Sequence, residues 1–163
     1  MTITKPMVSL LLALTTSALA SGGREDDGER SRSAPLDPFY VEECGACHVA
    51  YPPGLLSRES WRAVVGGLGR HFGVDASVEA QLGAQINAYL QAHASPRASD
   101  DREGRPWLRI TDTRWFRHEH RPGEDGLYPG VFESEAVRSP ANCEACHRGA
   151  AEGRYGEREI RIP

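Results

Sequence analysis

Methionine is almost missing from this chain: it has two, Met1 and Met7, both at the extreme N-terminus. Lysine is scarcer still, with Lys5 alone. Beyond residue 7 there is therefore no thioether and no amine to serve a metal. Long apolar runs are also missing, except for the stretch from Met7 to Leu19. That stretch is shorter than the about 20 residues a membrane-spanning helix needs. With its basic start and the small-x-small Ala18-Leu19-Ala20, it reads as a secretory signal peptide, 1–20, cleaved after about Ala20. No basic cluster stands beside an aromatic platform, which argues against nucleic acid.

Cleavage would remove Lys5 and leave 18 arginines against 23 acidic residues, a formal charge of −5. The expected product, Ser21 to Pro163, is long enough for one domain. Residues 21–36 are charged and rich in Gly and Ser, and read as a disordered leader. The polar stretch Ser95–Arg105 divides the remainder, 37–163, into halves of about 37–94 and 106–163.

What the chain does have is one motif twice. Cys44-Gly45-Ala46-Cys47-His48 and Cys143-Glu144-Ala145-Cys146-His147 use all four cysteines. Cys-x-x-Cys-His is the attachment site of c-type haem, with each thiol joined to a vinyl group and the histidine on the iron. Zinc and a redox disulfide are the competing readings. Zinc needs no histidine directly after each second cysteine, and a thioredoxin-like motif wants a βαβ surrounding that is absent here. Two haems on an exported chain predict a bacterial periplasmic protein. They would also supply core that so short a chain lacks.

The expected class is mainly α, a small single domain with short helices and extensive loops around two covalent haems. Asp37-Pro38 and Ser139-Pro140 each offer an N-cap followed by proline, ahead of the two haem motifs. Trp61, Val64, Val65, Leu68 and Phe72 follow helical spacing over Ser57–Phe72, with Gly73 as the stop. Val78, Leu82, Ile86, Tyr89, Leu90 and His93 form a stripe over Ser77–Ala94. Thr113–His120 reads as a short helix ending before Pro122-Gly123, and Glu159–Ile162 is the best strand candidate.

His48 and His147 supply one ligand to each iron. With methionine gone, the sixth position falls to another histidine, to water or an open site, or to an unusual donor such as tyrosine. His71, His93, His118 and His120 remain. His71 falls on the apolar stripe of the Ser57–Phe72 helix, and two irons need partners, so it is the first candidate. His93 sits at a helix end. His118 and His120 are two apart and point to different sides of a helix. His120 shares the face of Phe116 and is preferred. Trp61 and Trp115 are placed either in the core or on haem edges. Arg148 is either a solvated surface residue or a partner for a haem carboxylate.

The run Cys44–Leu56, together with Ser60-Trp61, His71-Phe72-Gly73, Trp115-Phe116 ahead of His120, and Ala141–His147, resembles the small dihaem cytochromes c of proteobacteria, the DHC family. The likeness covers about Phe39 to Pro163. It implies two bis-histidine, low-potential haems and electron transfer, with His71 and His120 as the distal ligands. It also implies a membrane b-type cytochrome as electron donor and a small oxygen-binding monohaem cytochrome c as acceptor. Sequence order pairs His71 with the haem of Cys44 and Cys47, and His120 with that of Cys143 and Cys146. A crossed arrangement stays open. Against the non-enzymatic carrier stand two alternatives. One is a small peroxidase or an oxygen- or nitrogen-oxide reductase with one open haem, using His118 or His93 as acid–base group. The other is a gas or redox sensor.

Overall fold

Four short helices and a set of 3₁₀ turns make up the computed structural model, which describes residues 36–98 and 100–163. The expected signal peptide, 1–20, and all but the last residue of the expected leader, 21–36, lie outside the described residues. The helices are α1 (Pro38–Cys44), α2 (Arg58–Gly66), α3 (Ala80–His93) and α4 (Arg114–Glu119). There is no β-strand among the described residues, only two isolated bridges. The class is mainly helical, as expected.

Local chemistry sets the helix starts. The Asp37 carboxylate accepts from the amides of Phe39 and Tyr40, with Pro38 at the first helical position of α1. Ser57 caps α2 through the Ser60 amide, and Thr113 caps α4 through the Phe116 amide. Glu79 caps α3 by accepting from Gln81 and Leu82, so that helix begins at Ala80 and not at Ser77.

Three expectations need correction. The helix over Ser57–Phe72 stops at Gly66, because Gly66-Gly67 breaks the backbone pattern; a 3₁₀ turn, Leu68–Arg70, follows. His71 is extended (φ −67°, ψ 93°) and lies past the helix, not on its buried stripe. Phe72, expected in the core, is 47% exposed. Gly73 does take the left-handed conformation, at φ 100°, but inside a tight turn and not at a helix end. Ser139-Pro140 starts no α-helix: the second haem motif opens in a 3₁₀ turn, Cys143–Ala145. The Glu159–Ile162 strand reduces to a bridge between His147 and Ile160 beside a 3₁₀ turn.

Two apolar clusters form the core. The larger gathers Tyr40 from α1, Trp61 from α2, Ile86 and Leu90 from α3, with Ala50 and Leu56 from the loop after the first motif. Each fully buried side chain such as Leu56 or Leu90 contributes about 1.5–3 kcal/mol. The smaller cluster joins Leu127, Val131 and Val137, with Cys146 and Phe132 packed against it. One haem motif borders each cluster: Cys44 packs on the first and Cys146 on the second.

Candidate functional site

The chain builds two sites, each around one Cys-x-x-Cys-His. In the first, α1 delivers Cys44 and the following turn carries Cys47 and His48. The His48 Nδ1–H donates to the Val49 carbonyl at 2.7 Å, which fixes the tautomer and leaves Nε2 free to bind a metal. His71 faces it from the turn after α2. The two ring centres are 6.2 Å apart and the planes 26° from parallel.

The second site repeats the plan with different elements. His147 follows the 3₁₀ turn of its motif, and His120 caps the C-terminus of α4. The His120 Nδ1–H donates to the Phe116 carbonyl at 3.0 Å, and its ring stacks on Phe116 at 4.0 Å. That again turns Nε2 outward. The ring centres of His120 and His147 are 6.1 Å apart. Two imidazoles that share one metal, each bound through nitrogen at roughly 2.0–2.1 Å, have ring centres roughly 6 Å apart. Both histidine pairs stand at that separation.

Electrostatics favour the ligating form of three of the four rings. Burial depresses the pKa of His71, with His48 and Arg109 adding to the effect. Burial likewise lowers His120, and lowers His147 together with its neighbour His120. Neutral imidazole is the ligating form. Burial pushes the Cys44 and Cys143 thiols up to about 11, away from the thiolate a zinc site or redox motif would use. Among the described residues, no three His, Cys, Asp or Glu side chains converge as a metal cluster.

The second site opens into a cavity with about 1070 Å³ of empty space, part of it open to solvent. Cys143, Cys146, His120, His147, Trp115 and Phe132 line it. Two buried polar atoms on this wall have no protein partner, His147 Nδ1 and the Tyr155 hydroxyl. A buried unpaired donor costs about 1–3 kcal/mol, so the Tyr155 O–H wants an acceptor inside the cavity. A haem carries carboxylates that would serve. The donor set, the paired rings and this orphaned hydroxyl all fit a covalent haem.

Tyr51 joins the two sites. Its ring stacks on His48 at 4.7 Å, 18° from parallel. Its hydroxyl donates to the Ala141 carbonyl at 3.0 Å, ninety positions away. The same carbonyl accepts from the Cys143 thiol at 3.7 Å. One side chain thus touches the metal-facing histidine of the first site and the backbone entering the second. Neither Tyr51 nor Tyr155 was singled out for these contacts by sequence reasoning, and only long-range proximity reveals them.

The other candidates fall elsewhere. His93 is exposed, with Nδ1 donating to the Tyr89 carbonyl at 2.9 Å. His118 is exposed beside Glu119 at 3.2 Å. Trp61 is core, its indole N–H donating to the Pro53 carbonyl at 2.7 Å. Trp115 lines the second cavity, edge-on to His120 at 6.3 Å. Arg148 is exposed.

Residues 40–155 match the family described as dihaem cytochrome c. A solved dihaem cytochrome c from Rhodobacter sphaeroides is 38% identical, with a TM-score of 0.65 over 75% of this chain and 100% of that one. Another structure of DHC from the same organism is 42% identical, with a TM-score of 0.61 over 74% and 97% of the two chains. A dihaem cytochrome c from Shewanella baltica is 33% identical, with a TM-score of 0.64 over 80% and 95%. No curated protein matches.

Proposed function

The chain belongs to the dihaem cytochrome c family, and from that premise we propose that it is a periplasmic electron carrier with two closed, low-potential, bis-histidine haems. The family's cofactors are two c-type haems, and both attachment motifs are present here. Electron transfer is what such proteins do, and homologues in Gram-negative bacteria are typically periplasmic. In this reading His48 and His71 bind one iron, and His147 and His120 the other. The carrying observation is the pair of ring separations, 6.2 and 6.1 Å.

Each bound haem supplies a one-electron iron couple. The protein's part is to close both irons, so that no substrate coordinates and electrons pass by outer-sphere transfer. Histidine in place of methionine on the sixth position lowers the potential. The Nδ1–H bonds of His48 and His120 to backbone carbonyls push in the same direction, because they make the imidazole a stronger donor. Tyr51 spans the two sites and supports internal exchange between the haems. The partners proposed are a membrane b-type cytochrome as donor and a small oxygen-binding monohaem cytochrome c as acceptor.

The test is optical. The purified protein should show two six-coordinate low-spin haems that do not change when carbon monoxide is added after reduction. Rapid carbon monoxide binding to either haem would sink the closed-carrier reading and favour an enzyme with an open iron.

Two further outcomes follow from the site. Tyr155→Phe removes a buried hydroxyl that has no protein partner, so without haem the chain should lose nothing and gain up to about 1–3 kcal/mol in stability. In the holo-protein the same change should shift the midpoint potential of one haem only, read by redox titration. Equal potentials in both proteins would leave Tyr155 without a role at the haem. Tyr51→Phe removes the bond to the Ala141 carbonyl and is expected to lower holo-protein stability by about 0.5–1.5 kcal/mol in urea unfolding. It should also slow electron equilibration between the haems after flash reduction; an unchanged rate would remove Tyr51 from the path.

A further inference from the structure

The two sites match in their neutral groups. Each histidine pair has a ligand whose Nδ1–H is bonded to a backbone carbonyl, His48 at 2.7 Å and His120 at 3.0 Å. Each side also has a buried donor with no protein partner: the Trp107 indole N–H against the first cluster, and the Tyr155 hydroxyl beside His147. Influences of this kind on an iron's potential are paired across the sites. The charges are not.

Three carboxylates line the second cavity, Glu119, Asp125 and Glu157, and no arginine does. Asp125 is held at φ 46°, between Gly123 at 98° and Gly126 at 85°, in the left-handed conformation that aspartate tolerates better than most side chains. It has no ion-pair partner among the described residues; Arg121, four positions earlier, is taken by Glu124 at 2.6 Å. Its charge reaches both ligands of the site. Burial lowers His120 and His147, and Asp125 works against that depression at each.

The first site carries the opposite sign. The Arg109 guanidinium lies 3.9 Å above the Phe72 ring, which edges onto His71 at 4.7 Å. Arg109 acts alike whether it stays there or turns to a haem carboxylate, since either placement offsets negative charge beside that iron. The remaining charges balance. Glu43 adds to burial in raising the Cys44 thiol, and Glu144 does the same at Cys143. Arg70 and Asp75 flank the His71–Val74 turn with opposite signs.

We propose that the haem of Cys143 and Cys146 is the lower-potential centre and that of Cys44 and Cys47 the higher, with Asp125 and Arg109 setting the order. The inference rests on the electron-carrier reading and deepens it. Reduction removes one positive charge from an iron centre. A carboxylate beside it therefore favours the oxidised form, and an arginine the reduced one. Internal transfer then has a direction: one electron passes from the second site to the first, oxidising one iron and reducing the other. The second site is the more enclosed, with His147 half-buried where His48 is exposed. Enclosure alone would raise its potential, but the same loss of solvent strengthens the pull of Asp125.

Spectroelectrochemical titration of the holo-protein, resolved into two one-electron steps, tests the order. Asparagine also accepts a left-handed backbone, so Asp125→Asn should fold and should raise the lower midpoint while the upper one stays. The expected size is roughly a threefold to tenfold change in that haem's reduction equilibrium, tenfold being about 59 mV for one electron. Arg109→Gln should lower the upper midpoint by a similar factor and leave the lower one. Arg109→Lys, which keeps the charge, should hold the parent's values. Asp125→Asn moving the upper midpoint, or Arg109→Gln moving the lower, would reverse the order and overturn the proposal. So would midpoints that neither variant moves, or a parent whose midpoints coincide. Carbon monoxide added to the reduced parent separates this from the wider reading. Binding there would sink the closed carrier whatever the midpoints; no binding with misordered midpoints would sink the order alone.

Discussion

Replacing His120 by alanine is expected to turn one of the two haems high-spin and open it to carbon monoxide, with both haems still covalently attached. The His120 ring is held by two contacts, the stack on Phe116 at 4.0 Å and the Nδ1–H bond to the Phe116 carbonyl at 3.0 Å. Both aim Nε2 at His147, and alanine can do neither. His71→Ala should act alike on the other haem, since no other described histidine faces His48. About half of the total haem should therefore bind carbon monoxide in each single variant, and nearly all in the double variant, if ligation is one histidine per iron. The controls are His93→Ala and His118→Ala. His93 is exposed and bonded to its own helix, and His118 is exposed beside Glu119. Neither should alter the spectrum. A high-spin haem in either control, or none in His120→Ala, would overturn the assignment.

Capping and motif chemistry made the helix starts legible, because those interactions reach only three or four residues. Asp37 before Pro38, Ser57 before α2 and Thr113 before α4 each sit where the sequence predicts a start. His120 was placed through the same locality, since its face is shared with Phe116 one turn earlier. Spacing points to His71 for an incomplete reason. Its apolar stripe runs on in sequence past Gly66-Gly67, but the helix does not, and spacing alone does not register the break. The ring arrives opposite His48 through a turn. Ser139-Pro140 misled for a related reason: the segment after it holds its turn by a 3₁₀ pattern around Cys143–Ala145 and never completes an α-helical ladder. The Tyr51 bond to Ala141 and the lone Tyr155 hydroxyl have no local signature at all. Contacts across ninety residues depend on how two clusters meet, and that depends on haems the amino-acid pattern marks only at their points of attachment.

Trp61→Ala is expected to be the most damaging change outside the haem ligands, at about 3–5 kcal/mol, enough to unfold much of a marginal domain. Trp61 is 4% exposed within the larger cluster, and its N–H is bonded to the Pro53 carbonyl at 2.7 Å. Truncation would leave a large cavity and take from that carbonyl the shorter of its two bonds, leaving the Leu56 amide at 3.5 Å. Trp61→Phe separates the two effects: most of the apolar surface stays, and the Pro53 carbonyl keeps only its long bond from the Leu56 amide at 3.5 Å, so the lost indole bond should cost about 0.5–1.5 kcal/mol. Urea unfolding of both holo-variants gives the comparison, and a Trp61→Phe protein as stable as its parent would remove the hydrogen bond from the argument. The loss should also reach the first haem. Three bonds pin the loop after His48: Tyr40 hydroxyl to the Tyr51 carbonyl at 2.8 Å, Trp61 to Pro53, and the Ser95 amide to the Leu56 carbonyl at 3.0 Å. That loop holds Tyr51 against His48. Without its middle pin, Tyr51 should lose its stack on the histidine, and the midpoint potential of that haem should move while the other stays in place. A core tryptophan with no haem contact of its own would then set the environment of an iron through the carbonyl it holds.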